Sequence, residues 1–441
     1  MKHTVTELTL KNGAKGLLIH IPDASVMSFE FNFRAGEYLV KPDKWETPHL
    51  MEHMLLGANE RYPKSRLFQA EIEKNGAYSN ASTSVYEIIY EAECADFEWE
   101  RILELMLVAI TKPLFLADEF EAEVGNVREE LTARANNHFR HLSLALRERY
   151  GFMAKTDEER LKLMDNVTVN DVREHYERTH TTRNLRFIIA GNLTPKRHET
   201  VEAVLKTVEL PLGDKRLELP DEKPKSQAGP VHIHNKTVKN LYFYIDSFML
   251  RRMNEPETDA LNLVNTMLTE TLYSKILGTA RERGLVYGMS SGFGQTKLSS
   301  NWWFGAQVSQ RNAPALFEIV RDELNNVFRG EIAIEDIEAA KAYALGRFQR
   351  SAQTVAGVAG GYSGRYYFDE VIDDYYQVPR RIKAVTKAQI VEIAQALFAD
   401  NIWGLGILSN CEKPFSSELY KQISSLWVDP ADPTNPAKAD K

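Results

Sequence analysis

The chain has 441 residues, 43% of them hydrophobic and 26% charged, with a formal net charge of −8. That length exceeds one compact core and suits two domains of roughly 200 residues each. The acidic balance, with no long basic run, argues against a nucleic-acid binder. The two cysteines, Cys94 and Cys411, are too few and too far apart in sequence for a disulfide framework, and they suit a reducing compartment. The opening MKHTVTELTL lacks the apolar core of a signal peptide, and no run approaches the ~18 apolar residues of a membrane span. A cytoplasmic location with no membrane span is expected.

Residues 4–33 read as strands. Thr4 to Leu10 and Val26 to Phe33 alternate, Lys15 to Ile21 is apolar, and Lys11-Asn12-Gly13 is a turn. A helix from Glu46 to Leu56 is expected next, stopped by Gly57, with Pro48 in its first turn where the missing N–H costs nothing. A second helix, Ser65 to Lys74, ends at Asn75-Gly76. A strand runs through Val85 to Ala92. Helices are expected over Phe97–Ile110, Ala117–Ala133, His138–Tyr150 and Val169–Arg178, and a short apolar strand, Leu185 to Ala190, closes the first half.

From Leu212 to Pro230 the chain is rich in charge, Pro and Gly without useful periodicity, which reads as a linker. It separates a first domain, 1–211, from a second, 231–428. In the second domain the pattern restarts. Strands are expected at Val231–Val238 and Leu241–Phe248, a helix at Glu257–Leu277, strands at Tyr287–Phe293 and Asn301–Val308, and helices at Ala313–Phe328 and Ile334–Ala352. The glycines between Gly357 and Gly364 lack the Lys-Ser/Thr of a phosphate loop and are read as permitting close helix packing. Residues 429–441 read as a disordered tail.

The second half repeats the first at an offset of 218 residues. That shift lays Asn166-Val167-Thr168 on Ala384-Val385-Thr386 and Ile188–Asn192 on Gly406–Asn410. It also lays His49-Leu50-Met51-Glu52-His53 on Met267-Leu268-Thr269-Glu270-Thr271, where both histidines are missing. A duplicated α+β domain is expected, each copy a mixed sheet covered by helices on one face, with a metal site kept in the first copy alone.

The chemistry centres on His49-x-x-Glu52-His53. On a helix the two imidazoles lie one turn apart on the same face and can grip one zinc ion, leaving positions for a carboxylate and a water. Glu52, beside the second histidine, is placed to take a proton from that water. The pattern is the inverse of H-E-x-x-H, known as the inverzincin motif. Candidates for the third ligand lie on EFEAEVGNVREELTAR, where Glu123 and Glu130 share a face two turns apart and Glu129 points about 100° away from Glu130.

With these residues in view the chain resembles the M16 (pitrilysin) metallopeptidases, the family of insulin-degrading enzyme and the mitochondrial processing peptidase. The resemblance rests on His49-x-x-Glu52-His53, on Glu130 placed 77 positions beyond His53, and on Glu123 seven before it. Gly76-Ala77-x-x-Asn80-Ala81-x-Thr83 is similar to the family's G-A-x-x-N-A-x-T segment, and Arg281-Glu282-Arg283-Gly284-Leu285-Val286-Tyr287 to its second-half R-E-x-x-G-L-x-Y motif. The resemblance spans about residues 5 to 410. It implies two homologous domains of the LuxS/MPP-like metallohydrolase type, with one Zn2+ per chain held by His49, His53 and Glu130. It further implies Glu52 as general base, Glu123 as a carboxylate orienting a ligand, and Asn80 and Ala81 on an edge strand that pairs with an extended peptide substrate. Arg281 and Tyr287 would close the site from the second half, with Tyr287 holding an oxyanion.

The sequence departs from the family pattern in two places. Arg281 and Tyr287 are six apart where seven is usual, so either Arg281 or Arg283 serves. The glycine often found before the first histidine is absent, and Thr47-Pro48 stands there. The function implied is zinc-dependent endoproteolysis of peptides or unfolded segments in an enclosed chamber. Four such domains enclose that chamber in the family, so a two-domain chain implies a homodimer, or a heterodimer with a zinc-less M16-like subunit. The alternatives are a zinc-bearing subunit that needs such a partner and a non-catalytic core-protein-like subunit.

Overall fold

The computed structural model describes residues 1–427, and the expected tail at 429–441 lies outside the described residues. The first half runs β1 (Thr4–Thr9), β2 (Lys15–His20), β3 (Val26–Phe33), α1 (Thr47–Leu55), α2 (Ser65–Glu73), β4 (Tyr78–Thr83), β5 (Ile88–Ala95), α3 (Trp99–Thr111), α4 (Ala117–Ala135), α5 (His138–Tyr150), α6 (Asp157–Leu163), α7 (Val169–Thr179), β6 (Leu185–Gly191) and α8 (Pro195–Lys206). The second runs β7 (Val231–His234), β8 (Leu241–Met249), α9 (Glu255–Asn265), α10 (Lys275–Glu282), β9 (Val286–Gln295), β10 (Ser300–Val308), α11 (Ala313–Phe328), α12 (Ile334–Ser351), α13 (Val355–Asp369), α14 (Val378–Ala384), α15 (Lys387–Ala399), β11 (Ile402–Ser409) and α16 (Lys413–Ser424).

The strands form two mixed sheets, ordered β1-β2-β6-β3-β5-β4 and β7-β11-β8-β10-β9. In the first, β2 and β6 are parallel; in the second, β11 and β7 are. The 218-residue shift explains the likeness. It lays β6 within a residue of β11 and places α8 on α16, Lys413–Ser424. It brings α4 near α12 and α5 near α13. Duplication is therefore visible in the strand order as well as in the chain.

The compact units are not contiguous in sequence. One comprises residues 1–133, 157–219 and 349–375; the other comprises 134–156, 220–348 and the described residues from 376 onward. Each half thus contributes one helix, α5 or its copy α13, to the unit built mainly from the other. The pleat shows why. Along β2, Leu18 points to a core shared with Phe29, Phe31, Leu50, Met51 and Met106, while Leu17 and Ile19 point the other way. That second face is closed by Val355, Val358, Ala359, Tyr362, Tyr366 and Tyr367 of α13. In the second unit, Leu142, Leu146 and Tyr150 of α5 cover Tyr244, Phe248 and Leu408 in the same way. Helices therefore lie on both faces of each sheet, where the sequence suggested one.

Two further expectations change. The single helix foreseen over 257–277 is broken: α9 stops at Asn265, one π turn covers Thr266–Glu270, and Thr271 is extended before α10 begins. On α13, a Cβ added at Gly360, Gly361 or Gly364 would meet nothing within 4 Å. Those three do not serve close packing, whereas at Gly357 a Cβ would clash with the Ser351 carbonyl oxygen, a close approach that needs glycine; the buried stripe belongs to the tyrosines, valines and Ala359. No described helix is long and apolar enough to cross a membrane.

Candidate metal centre

Helix α1 carries the motif because its other face is apolar. Leu50, Met51, Met54 and Leu55 are buried against the sheet, which fixes the rotation of the helix and turns His49 and His53 the same way. Their ring centroids are 5.0 Å apart and the rings are nearly perpendicular. Helix α4 is anchored by Val127 and Leu131 and presents Glu123 and Glu130 to that pair. Glu130 Oε2 lies 3.3 Å from His49 Nε2 and 3.5 Å from His53 Nε2. Glu129 is exposed, on a different face of the helix.

The other ring nitrogens are both held by carboxylates. His53 Nδ1 donates to Glu123 Oε2 at 2.9 Å, and His49 Nδ1 donates to Glu46 Oε2 at 3.1 Å. An ionised carboxylate only accepts, so these contacts hold a proton on each Nδ1; a metal replacing the proton that Glu130 draws to the other nitrogen would meet the Nε2 lone pairs. Ligands of a tetrahedral zinc sit about 2.0–2.2 Å from the ion, hence roughly 3.3–3.5 Å from one another. The three donors here all lie within 4.8 Å of one another, with both nitrogen–oxygen distances in that range. Two imidazoles and one carboxylate, each imidazole backed by a further carboxylate, are a donor set that fits zinc. Among the described residues no other His/Cys/Asp/Glu group is so placed.

The electrostatics agree. Burial pulls the His49 imidazole down, but its bonds to Glu130 and Glu46 outweigh that and hold it up at about 9. Burial pushes Glu46 up, yet His49 and Arg160 keep it below the usual carboxylate range. The bond from His53 holds Glu123 low. The cluster is built to favour positive charge between the two rings.

The remaining predicted residues fall as follows. Glu52 accepts a 2.6 Å hydrogen bond from Thr83 Oγ1, at the end of β4. Asn80 and Ala81 lie on β4, opposite Glu91 and Tyr90 of β5, and β4 is the last strand of its sheet. Arg281 and Tyr287 lie in the second unit, at the end of α10 and the start of β9. The Arg281 guanidinium donates to the Tyr287 carbonyl and lies 4.8 Å from the ring centroid, so Arg281, rather than Arg283, partners this tyrosine. Tyr287 is 88% exposed. In the degenerate copy Glu270, equivalent to Glu52 by the shift, is paired with Arg347 of α12 and accepts from Thr266.

Glu46 and Arg160 escaped the sequence reading as site residues, and Thr83, quoted there in its motif, was given no role. Glu46 had a signal, since a carboxylate three residues before a helical histidine is one turn away. Arg160 had none, because it comes from α6, which went unrecognised.

The sheet is duplicated within the chain, and a helical histidine pair faces a glutamate in one copy alone. Comparisons with known proteins agree. The model for "Insulinase (Peptidase family M16)" matches residues 35–159, and that for "Peptidase M16 inactive domain" matches 166–343. The chain belongs to peptidase family M16. The Arabidopsis thaliana protein "Insulin-degrading enzyme-like 1, peroxisomal" is 29% identical over 127 residues, 28% of this chain and 13% of that protein. The Escherichia coli "Probable zinc protease PqqL" is 23% identical over 200 residues, 42% of this chain and 21% of that one. The matched stretches thus span a small part of these relatives. A protease structure from Helicobacter pylori superposes with a TM-score of 0.80 at 19% identity, covering 92% of this chain and all of that one. An M16 inactive-domain structure from Pseudomonas fluorescens gives 0.81 at 17% identity, covering 93% and 98%. At such identities the likeness is one of fold.

Proposed function

We propose that this chain is a zinc-dependent endopeptidase acting on peptides or unfolded segments. The observation that carries this reading is the convergence of His49 Nε2, His53 Nε2 and Glu130 Oε2, with Glu52 on the same helix. Zinc held there would supply Lewis acidity, acidifying a water and polarising a carbonyl. Glu52 would take the proton from the attacking water as its oxygen bonds to the carbonyl carbon, then hand it to the amine as the C–N bond breaks. Thr83 holds the Glu52 carboxylate in one orientation for this transfer. The free edge of β4, with Asn80 and Ala81, would pair with an extended substrate backbone. Glu123 would keep the His53 proton on Nδ1. Tyr287 keeps its family-implied role as oxyanion donor, supported by its exposure and its guanidinium partner Arg281. A dimer and a cytoplasmic location complete the proposal.

The test is metal analysis of the purified chain with cleavage of a quenched peptide, with and without chelator. One zinc per chain and chelator-sensitive cleavage are expected. Tight zinc without cleavage of varied peptides would favour a subunit that needs a partner, and absence of zinc would favour a structural role.

A further inference from the structure

Glu46 precedes α1 and is fully buried. Its Oε1 accepts from Arg160 Nε at 2.6 Å; its Oε2 accepts from Arg160 Nη2 at 2.8 Å and from His49 Nδ1 at 3.1 Å. The same Arg160 Nη2 stands 3.3 Å from His49 Nδ1. A guanidinium nitrogen only donates and a carboxylate only accepts. His49 Nδ1 therefore sits between a group that needs it protonated and one that needs it bare. Should Nδ1 accept from Arg160, the one proton of the neutral ring would move to Nε2, and that nitrogen could no longer bind a metal.

We propose that Glu46 sets the tautomer of His49 against the pull of Arg160, and so decides whether this ring can ligate zinc; the assignment rests on the zinc reading above. The two groups depend on each other. A lone buried carboxylate would be costly, and the bidentate guanidinium keeps it ionised. The carboxylate in turn occupies the guanidinium face that would otherwise reach Nδ1. Asp157, 3.6 Å from Arg160 Nη1, takes part of the remaining charge. His53 is arranged differently: its Glu123 has Asn126 as further partner, at 3.2 Å. Glu46 falls in the stretch before His49 where the sequence leaves the family pattern. It is a positioning residue, acting through His49.

The experiment is zinc affinity, measured on the metal-stripped full chain by competition with a chromophoric chelator. Wild type, Glu46→Gln and the double variant Glu46→Gln/Arg160→Met are compared. Glu46→Gln should bind zinc at least about tenfold more weakly, the scale of lost support behind a metal-binding histidine. The double variant should bind more tightly than Glu46→Gln, because the competing donor is gone and the amide oxygen introduced by the substitution can accept from Nδ1. A merely structural role predicts no such recovery. A loss smaller than tenfold, or a double variant no tighter than the single, overturns the proposal. Should Glu46→Gln fail to fold, Arg160→Met decides: affinity within about threefold of wild type is expected, and a greater loss assigns the ring to Arg160 instead. Wild-type protein that binds no zinc removes the zinc reading itself, a separate outcome.

Discussion

Thr83 Oγ1 donates to Glu52 Oε2 at 2.6 Å, which ties the last residue of edge strand β4 to the helix that carries both histidines. The group proposed to move the proton is thus oriented from the strand proposed to align the substrate. Glu52→Gln should keep zinc and lose hydrolysis by at least about 10²–10⁴-fold, the range of a general base. Thr83→Val should also keep zinc and lower kcat by about tenfold, since it removes orientation and leaves the base. Metal analysis and peptide turnover on the same samples check both. Undiminished turnover in metal-replete Glu52→Gln would sink the mechanism.

Glu130 and Glu129 are adjacent, yet only Glu130 meets both Nε2 atoms. Glu130→Gln should therefore lower zinc occupancy sharply after dialysis against a weak chelator, and Glu129→Gln should leave it unchanged. The reverse result would reassign the third ligand.

The motif helix was legible because its spacing and its apolar flank are local. Most strands were legible for the same reason, from alternation or short apolar runs. The repeat was legible through a single offset serving Glu52, Thr168 and Ile188 at once. The exchange of α5 and α13 was not. Both helices are amphipathic, but a buried stripe such as Leu142, Leu146 and Tyr150 says only that something covers it. Periodicity left strand β4 unread, because Tyr78–Thr83 is polar and partly exposed along its length, as an open edge requires; the edge strand at Asn80 and Ala81 was implied by the family resemblance alone. Arg160 could not be read at all, because a pairing across 114 positions leaves no periodic trace.

Asp246 on β8 is fully buried. Its Oδ1 accepts from Asn301 at 2.8 Å, and its Oδ2 meets no donor among the described residues. Burial pushes its carboxyl up to about 8, against the Asn301 bond and the charge of Arg147. The folded state therefore binds this proton more tightly than the unfolded chain, whose carboxyl titrates at about 4. The stability it contributes is full below about pH 4 and is lost as pH rises toward about 8. Asp246→Asn carries no such titration. From pH 5 to pH 8 its stability relative to wild type should rise by roughly 2–4 kcal/mol. Urea denaturation of both proteins at the two pH values checks this, and a constant difference would show that Asp246 does not titrate in that window.

Glu370 follows α13 in a left-handed backbone conformation, φ 57° and ψ 33°, which costs a non-glycine residue about 1–2 kcal/mol. Its carboxylate supplies the compensation. Oε1 accepts from Arg186 Nε at 3.0 Å and Arg216 Nη1 at 3.1 Å, and Oε2 pairs with Lys15 Nζ at 3.1 Å. Arg186 and Arg216 are themselves buried side chains, so removing the shared anion leaves buried cations facing one another. Burial works against ionisation of Glu370, but these cations prevail and hold its carboxyl down at about 2. A carboxyl depressed on folding stabilises the protein above its unfolded value, about 4.3, and that contribution is lost as pH falls toward about 2. Lys15 is partly exposed, so solvent screens its share. Glu370→Gln should then cost about 1–3 kcal/mol at pH 7, mainly through the two arginines. The gap should narrow as pH falls from about 4.5 to about 2, because wild type loses the same charge. Glu370→Gly separates the two contributions: it relieves the backbone and still loses the ion pairs, so it should be destabilised less than Glu370→Ala. Equal stability of all three variants and wild type at pH 7 would show that the carboxylate does not anchor the end of α13.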